Sequence, residues 1–350
     1  MRTTSNNPLT NRLGSGITEK DVSKSGYPLQ TIVANLIREH SSSKKRSFYV
    51  QEEWSYVDKD TKGLRTIDIL AQKWLCDIGG GPQRKVRPIL NLVLECKQSP
   101  LPYVFFLSKG RPVVIHFPLI AGLPHQTVEI TTDDDPSTWT FDILHALELR
   151  SHAFLSTDAD YCTTFSKCVR GGANVELSGS EPFHGLVLPI LKAMQHFQVV
   201  ESPPKTALYF DCHIVIGIGV LDAPMVGVRV SARGHDLVLL PWVRVIRHET
   251  DEILDWHQTR RGFYAIDIVH KDFLKEYLHR HVFPFTEVFS GLAMKHDEEL
   301  ASGKAFASGL GKDSWHGIEK RLRPRKTGER SKTLSKNLLS LLYRGKPLRD

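Results

Sequence analysis

Three polar residues within two apolar segments have the side-chain types needed to hydrolyse a phosphodiester bond. Residues 89–97 are almost wholly apolar until they end in Glu95, Cys96 and Lys97. Because successive side chains of a strand point to opposite faces, Glu95 and Lys97 are predicted to project from the same face. Two charges at the end of so apolar a strand cost desolvation free energy unless they are paired or hold a metal ion. The pattern therefore indicates an ion pair or a metal site.

A second apolar segment, residues 64–71, carries Asp68 in its middle. If both segments are strands of one sheet, two carboxylates and a lysine lie at its edge, which suits Mg²⁺ and phosphodiester hydrolysis. A carboxylate two positions before a lysine is weak evidence by itself, because about one or two are expected by chance in a chain of this length. Residues 60–62 show the same spacing in a polar turn. The apolar setting favours a metal site, and a plain ion pair between Glu95 and Lys97 is the alternative.

In these features the chain resembles the PD-(D/E)XK nuclease superfamily, specifically its Mrr-like and Holliday-junction-resolvase-like branches. The shared order is a helix, a strand, a strand with a metal-binding Asp, and a strand that ends in Glu-x-Lys. The resemblance covers about residues 20–120. The corresponding segments here are a helix at 27–40 and strands at 48–57, 64–71 and 89–97.

The resemblance implies an α/β fold, a restriction-endonuclease-like mixed β-sheet flanked by helices, and a metal-dependent endonuclease activity. Asp68, Glu95 and the backbone carbonyl of Cys96 would bind Mg²⁺, with Mn²⁺ as an alternative ion. Lys97 would hold or help to deprotonate the attacking water and offset charge on the phosphate. DNA is the expected substrate, and RNA is the alternative that shares this chemistry.

Two residues depart from the family pattern. Ile67 occupies the position of the Pro in the family name, and many members also lack that Pro. Gln30 stands near the start of the first helix, where several members have Glu. Gln lacks the charge but retains a side-chain oxygen that could orient a water, so Gln30 is included in the predicted catalytic set. Glu39, at the end of the same helix, is the other acidic candidate and is better explained as a solvated helix-end residue.

Composition indicates a globular protein. The 350 residues are 41% hydrophobic and 9% aromatic, and no apolar stretch approaches the roughly 20 residues that span a bilayer. Residues 1–16 are polar and lack the apolar core of a signal peptide. The five cysteines include no Cys-x-x-Cys pair, which favours reduced thiols. We therefore expect a cytoplasmic protein without a membrane partner, and either a monomer or a homodimer.

Positive charge is concentrated at the C-terminus. Residues 312–350 contain 12 basic and 4 acidic residues, whereas the remaining chain contains 34 basic and 35 acidic ones. Such a tail predicts attraction to a phosphate backbone without sequence readout, and a solvated disordered tail is an equal alternative. A second basic stretch follows the glycines at residues 79–81. The predicted nucleic-acid contacts are Arg84, Lys85, Arg87, Lys320, Arg321, Arg323, Arg325 and Lys326.

The chain divides into five predicted regions. The acidic, polar segment 131–138 is the first plausible domain boundary, and a helical insertion is expected before the sheet resumes near residue 207. The regions are a flexible N-terminus at 1–20, a nuclease core at 21–130, a linker and helical insertion at 131–205, a continuation of the mixed sheet with a terminal helix at 206–300, and a basic C-terminal tail at 301–350.

Other constellations are less convincing. Gly217-Ile218-Gly219 begins a dinucleotide-binding pattern but lacks its third glycine. Glu52 and Glu53 could act as acid and base, but neighbours on a strand point to opposite faces. The rival to a nuclease is therefore a catalytically inactive protein of the same fold that binds nucleic acid or serves as a scaffold.

Overall fold

A computed structural model describes residues 21–22, 25–39, 47–77, 84–110, 117–132, 138–172, 174–248 and 262–307. Within these residues the fold is mixed α/β, with one twelve-stranded mixed sheet, a separate three-stranded sheet and flanking helices. No helix in the described ranges is long and apolar enough to cross a membrane. The predicted N-terminus at 1–20 and most of the basic tail lie outside the described residues.

The first helix and three strands follow the predicted order. They are α1 (Tyr27–Glu39), β1 (Tyr49–Val57), β2 (Leu64–Trp74) and β3 (Val86–Gln98). β2 is antiparallel to both of its neighbours. Asp58 closes the β1–β2 hairpin, because its carboxylate accepts hydrogen bonds from two backbone N–H groups of the turn and from the Arg65 side chain.

The remaining elements complete both sheets. The strands are β4 (Tyr103–Leu107), β5 (Leu119–Ala121), β6 (Thr127–Thr132), β7 (Thr138–Asp142), β8 (Tyr161–Gly171), β9 (Asn174–Ser178), β10 (Phe210–Asp222), β11 (Met225–Ser231), β12 (Gly234–Leu239), β13 (Trp242–His248), β14 (Phe263–His270) and β15 (Lys304–Ala307). The helices are α2 (Ile143–Ala146), α3 (Ala153–Ser156), α4 (Leu188–Val200), α5 (Leu274–Tyr277), α6 (Phe283–Lys295) and α7 (Asp297–Ser302).

The strand that ends in Glu-x-Lys lies inside the large sheet. The strand order is β1-β2-β3-β10-β14-β13-β8-β4-β11-β12, with β5 on β10 and β9 on β8. β3 and β10 are parallel and pair along their full lengths, from Val86 opposite Phe210 to Gln98 opposite Asp222. Both strands are therefore buried on two faces, which explains why they read as continuous apolar runs.

A helical segment at residues 180–200 packs across β3 and β10. It begins with one α-helical turn, continues as a π-helical turn at Phe183–Val187 and ends as α4. The Gly217-Ile218-Gly219 motif explains the close packing, because a Cβ at Gly217 would lie 2.4 Å from the Ile190 side chain. The motif thus makes room for a helix.

A buried ion pair joins two central strands. Arg244 on β13 donates to both carboxylate oxygens of Asp267 on β14, at 2.7 and 2.8 Å. The Tyr277 hydroxyl donates to the same carboxylate at 2.7 Å, and Arg244 also donates to the carbonyl of Phe154. Arg244 is 1% exposed and Asp267 is fully buried. Such complete hydrogen bonding is what allows two charges to be buried.

Several sequence predictions need correction. The predicted helical insertion is only partly helical, since β7, β8 and β9 lie within it. The boundary predicted at 131–138 falls between β6 and β7, which pair antiparallel in the same small sheet, and residues 133–137 lie outside the described residues. Within the predicted continuation of the sheet, the apolar residues 237–247 belong to two strands, β12 and β13, because Pro241 lacks the N–H that a continuous ladder needs.

The boundary predicted between residues 300 and 301 also needs correction, because helix and strand continue beyond it. The terminal helix predicted within 206–300 is confirmed as a helical stretch that starts at residue 271 and extends through α6. α7 and β15 follow, and β15 pairs in parallel with β6 of the small sheet. Of the tail predicted at 301–350, residues 301–302 therefore belong to α7, Gly303 to a turn and residues 304–307 to β15.

Candidate metal and catalytic site

The antiparallel pairing of β2 and β3 brings the two predicted carboxylates together. The regular pairing ends with Ile69 opposite Leu94, and the next residue, Asp68, accepts a hydrogen bond from the backbone of Cys96, which puts its carboxylate beside Glu95. Two carboxylates 27 positions apart in the sequence thus meet at the end of a buried strand.

The Asp68 carboxylate replaces part of the strand ladder. Its Oδ2 accepts a hydrogen bond of 2.7 Å from the backbone N–H of Cys96, where the regular pairing of β2 with β3 stops. Burial raises the pKa of Asp68, and the nearby charge of Glu53 adds to this effect, while the Cys96 N–H and Lys97 oppose it. One carboxylate oxygen is committed to the backbone, and the other is available to a ligand.

Glu95 and Lys97 share a face, as predicted. Lys97 Nζ lies 2.6 Å from Glu95 Oε1, whereas Leu94 and Cys96 pack into the core on the opposite face. The other oxygen, Oε2, is buried without a hydrogen-bond partner among the described residues. Burial, and next the charge of Asp68, raise the pKa of Glu95 to about 7, against the opposing effects of Lys97 and of the backbone N–H of Asp68. An ion pair alone does not satisfy this carboxylate.

Lys97 is held as a cation. Burial lowers its pKa, but the charge and hydrogen bond of Glu95 outweigh burial, so that the net shift is upward. The Lys97 stem passes beneath the helical segment, since a Cβ at Gly185 would lie 3.9 Å from its Cε. A charged ammonium group therefore lies next to two carboxylates.

Gln30 joins the site from α1. It is 6% exposed, and its Nε2 donates a 3.0 Å hydrogen bond to the backbone carbonyl of Asp68. The structure thus places Gln30 beside the predicted metal ligand, where it fixes the backbone of Asp68. The predicted role of orienting a water would fall to its remaining side-chain oxygen.

Strands β1 and β2 are both distorted at the level of Asp68. On β2, Ile67 packs into one core cluster and Ile69 into the other, although a regular strand would put them on the same face. On β1, Glu53 has a φ of +52°, in the left-handed region that non-glycine residues seldom adopt. The pairs Glu52–Ile69 and Trp54–Ile67 flank this point. Sequence reasoning missed Glu53 because it assumed a regular strand, and no residue type nearby signals the distortion.

The residues present suit a hard divalent cation. Buried Glu95 Oε2 has no hydrogen-bond partner among the described residues, Asp68 offers one oxygen, and the carbonyl of Cys96 is the third predicted ligand. Mg²⁺ binds oxygen and is usually held by one or two carboxylates while it keeps several waters. Within the described ranges, no three or more His, Cys, Asp or Glu side chains are grouped so as to hold a metal ion. The donor set thus fits a largely hydrated ion.

The basic residues near Glu95 in the sequence are far from it in space. Arg84, Lys85 and Arg87 lie at the start of β3, and at 3.3 Å per residue the strand separates Lys85 from Glu95 by about 30 Å. Arg84 donates to the carbonyl of Met294, and Arg87 forms an ion pair of 2.7 Å with Asp211. These three residues do not line the site. The predicted contacts between 320 and 326 lie outside the described residues.

Comparisons with known proteins identified no related protein. A scan against models of protein families found no match, and searches of curated proteins and of solved structures likewise found none.

Proposed function

We propose that this chain is a Mg²⁺-dependent endonuclease that hydrolyses phosphodiester bonds in DNA. The observation that carries the proposal is the meeting of Asp68 with Glu95 across β2 and β3, with Lys97 at 2.6 Å from one Glu95 oxygen and no hydrogen-bond partner for the other among the described residues. A purely structural ion pair would have no use for a second buried carboxylate beside it, because like charges in a low-dielectric site repel each other.

The fold supports the same proposal. A helix and three antiparallel strands lead to Glu-x-Lys, in the order that the PD-(D/E)XK resemblance implies. A helical segment then covers β3 and β10, which run parallel. We take this as a restriction-endonuclease-like core enlarged by strands β4 to β9.

The protein groups would divide the chemistry between them. Asp68, Glu95 and the Cys96 carbonyl would hold Mg²⁺, which when bound lowers the pKa of a water and draws charge from the phosphate. Lys97 would donate to the attacking water or to a phosphate oxygen and stabilise the negative charge that develops there. The attacking water would release a proton to solvent as its oxygen bonds to phosphorus, and the bond to the sugar oxygen would break as that oxygen takes up a proton.

Plasmid cleavage tests the proposal directly. Purified protein is incubated with supercoiled DNA and Mg²⁺ or Mn²⁺, with and without EDTA, and the Lys97→Ala variant is compared with wild type. Loss of the charge that offsets the developing phosphate charge should slow cleavage about 100-fold or more. Lys62→Ala is the matched control, because Lys62 follows Asp60 with the same spacing but lies in an exposed turn.

The outcomes separate the two classes of function. Equal cleavage rates for Lys97→Ala and wild type would refute the catalytic site. Metal-independent gel shifts without cleavage would favour a nucleic-acid-binding or scaffold protein of the same fold. Faster turnover of single-stranded or duplex RNA than of DNA would change the substrate and leave the site intact.

A further inference from the structure

We infer that Glu53 is a third acidic member of the site and holds a water between its carboxylate and the divalent cation bound by Asp68 and Glu95. The inference rests on the proposed function, because it needs a cation at those two residues. It assigns a role to a residue whose backbone is the most unusual feature of β1.

The pairing of β1 with β2 sets the position of Glu53. Glu52 lies opposite Ile69 and Trp54 lies opposite Ile67. Glu53 therefore lies between these two pairs, at the level of Asp68. Asp68 is the one residue between the partners on β2, so Glu53 and Asp68 are neighbours across the two strands. Glu53 is exposed, whereas Asp68 is half-buried, so Glu53 approaches Asp68 from the solvent side.

The backbone conformation at Glu53 supports a functional role for its side chain. A φ of +52° costs free energy for any residue with a Cβ, and glycine or asparagine adopts it more easily. If the distortion only protected the edge of the sheet from pairing with other chains, glycine or asparagine would suit this position better than glutamate. Strained backbone of this kind is found preferentially at functional sites.

The buried carboxylate of Glu95 is an independent observation that points to a ligand. Glu95 is 6% exposed, yet its Oε2 has no hydrogen-bond partner in the described part of the chain. A cation at this oxygen would meet the carboxylates of Glu95 and Asp68 directly, since no three acidic side chains of the described residues are grouped to hold an ion. Mg²⁺ retains several waters, and a third carboxylate one water away can accept a hydrogen bond from one of them.

Cation binding by the full-length chain tests the inference without relying on cleavage. Isothermal titration calorimetry with Mn²⁺ compares wild type with Glu53→Gln, which keeps the size of the side chain and removes its charge. A unit charge about 7 Å from a divalent ion in a water-like dielectric changes affinity by about five- to tenfold, so the dissociation constant should rise by that factor. Glu52→Gln is the control, because Glu52 is the next residue of the same strand and pairs instead with Arg38 at 2.8 Å.

A second variant separates the carboxylate from the backbone. Glu53→Gly keeps the left-handed conformation and removes the side chain, so it should weaken Mn²⁺ binding as much as Glu53→Gln does while unfolding at an unchanged or higher temperature. Binding within twofold of wild type for either variant would overturn the inference.

Asp68→Asn separates failure of this inference from failure of the proposed site. If Asp68→Asn abolishes binding while Glu53→Gln has no effect, only the role of Glu53 is wrong. If Asp68→Asn binds Mn²⁺ like wild type, the cation site itself is wrong, and the role of Glu53 falls with it.

Discussion

Replacing Glu95 with glutamine should stabilise the metal-free protein and abolish its activity. Glu95 is buried, one of its oxygens has no hydrogen-bond partner among the described residues, and Asp68 lies beside it. An amide removes the charge and keeps the shape, so the repulsion and the desolvation cost disappear. A residue that serves only the fold would show the reverse, because its loss would destabilise.

The magnitude follows from the pKa of Glu95, which is raised from 4.5 to about 7. Between those values the folded state binds a proton more readily than the unfolded state, so stability falls as the pH rises and the full penalty is present above pH 7. At 1.4 kcal/mol per pKa unit the penalty is about 3 kcal/mol. The attraction of Lys97 is already contained in this pKa, because Lys97 lowers it. The net gain at pH 8 should therefore be about 3 kcal/mol, and it should fall to about 1 kcal/mol at pH 5, where Glu95 of the folded state is protonated.

Urea unfolding in EDTA at pH 8 and pH 5 measures this difference, with Glu52→Gln as a surface control. Mg²⁺ at about 100 times its dissociation constant should then stabilise wild type by about 2.7 kcal/mol and leave Glu95→Gln unchanged. A Glu95→Gln protein that is less stable than wild type in EDTA at pH 8 would refute the reasoning, since the Glu95–Lys97 pair would then be a structural ion pair.

Three further outcomes test the fold. Asp267→Asn should cost about 3–5 kcal/mol in urea unfolding, because Arg244 is left buried without its counter-charge, and a loss below 1 kcal/mol would contradict that. Gly217→Val should destabilise by about 1–3 kcal/mol, measured by thermal unfolding, because its Cβ alone would approach the Ile190 side chain to 2.4 Å. Burial, and next Lys295, lower the pKa of His296 to about 4, so the unfolded state binds the proton more readily and His296 by itself should remove about 2 kcal/mol of stability between pH 7 and pH 5, opposite in sign to the contribution of Glu95. The stability of His296→Leu should therefore rise by about 2 kcal/mol relative to wild type over this range, and an equal pH dependence of the two proteins would refute the assignment.

Local patterns predicted the centre of the site well. Strand alternation placed Glu95 and Lys97 on one face, and the two apolar runs predicted that Asp68 would lie on a neighbouring strand. The order of α1 and the first three strands was also predicted, since helical spacing and buried apolar strands are strong signals.

Features that depend on distant contacts could not be predicted. The distortion at Glu53 arises where β1 and β2 bend together, and the residue type gives no sign of it. Arg84, Lys85 and Arg87 looked close to Glu95 because nearness along a strand was taken for nearness in space. The Arg244–Asp267 pair depends on the antiparallel register of β13 and β14, which neither residue reveals alone.

The full-length pairing of β3 with β10 has a consequence for biosynthesis. β3 ends at residue 98, whereas its partner begins at residue 210. At ribosomal rates of about 5–20 residues per second, roughly 5 to 20 s pass before that partner has been translated. Throughout that interval the nascent chain presents an unpaired, strongly apolar edge, a recognised starting point for aggregation. We therefore expect the yield of folded protein to increase at a lower expression temperature and with additional chaperones.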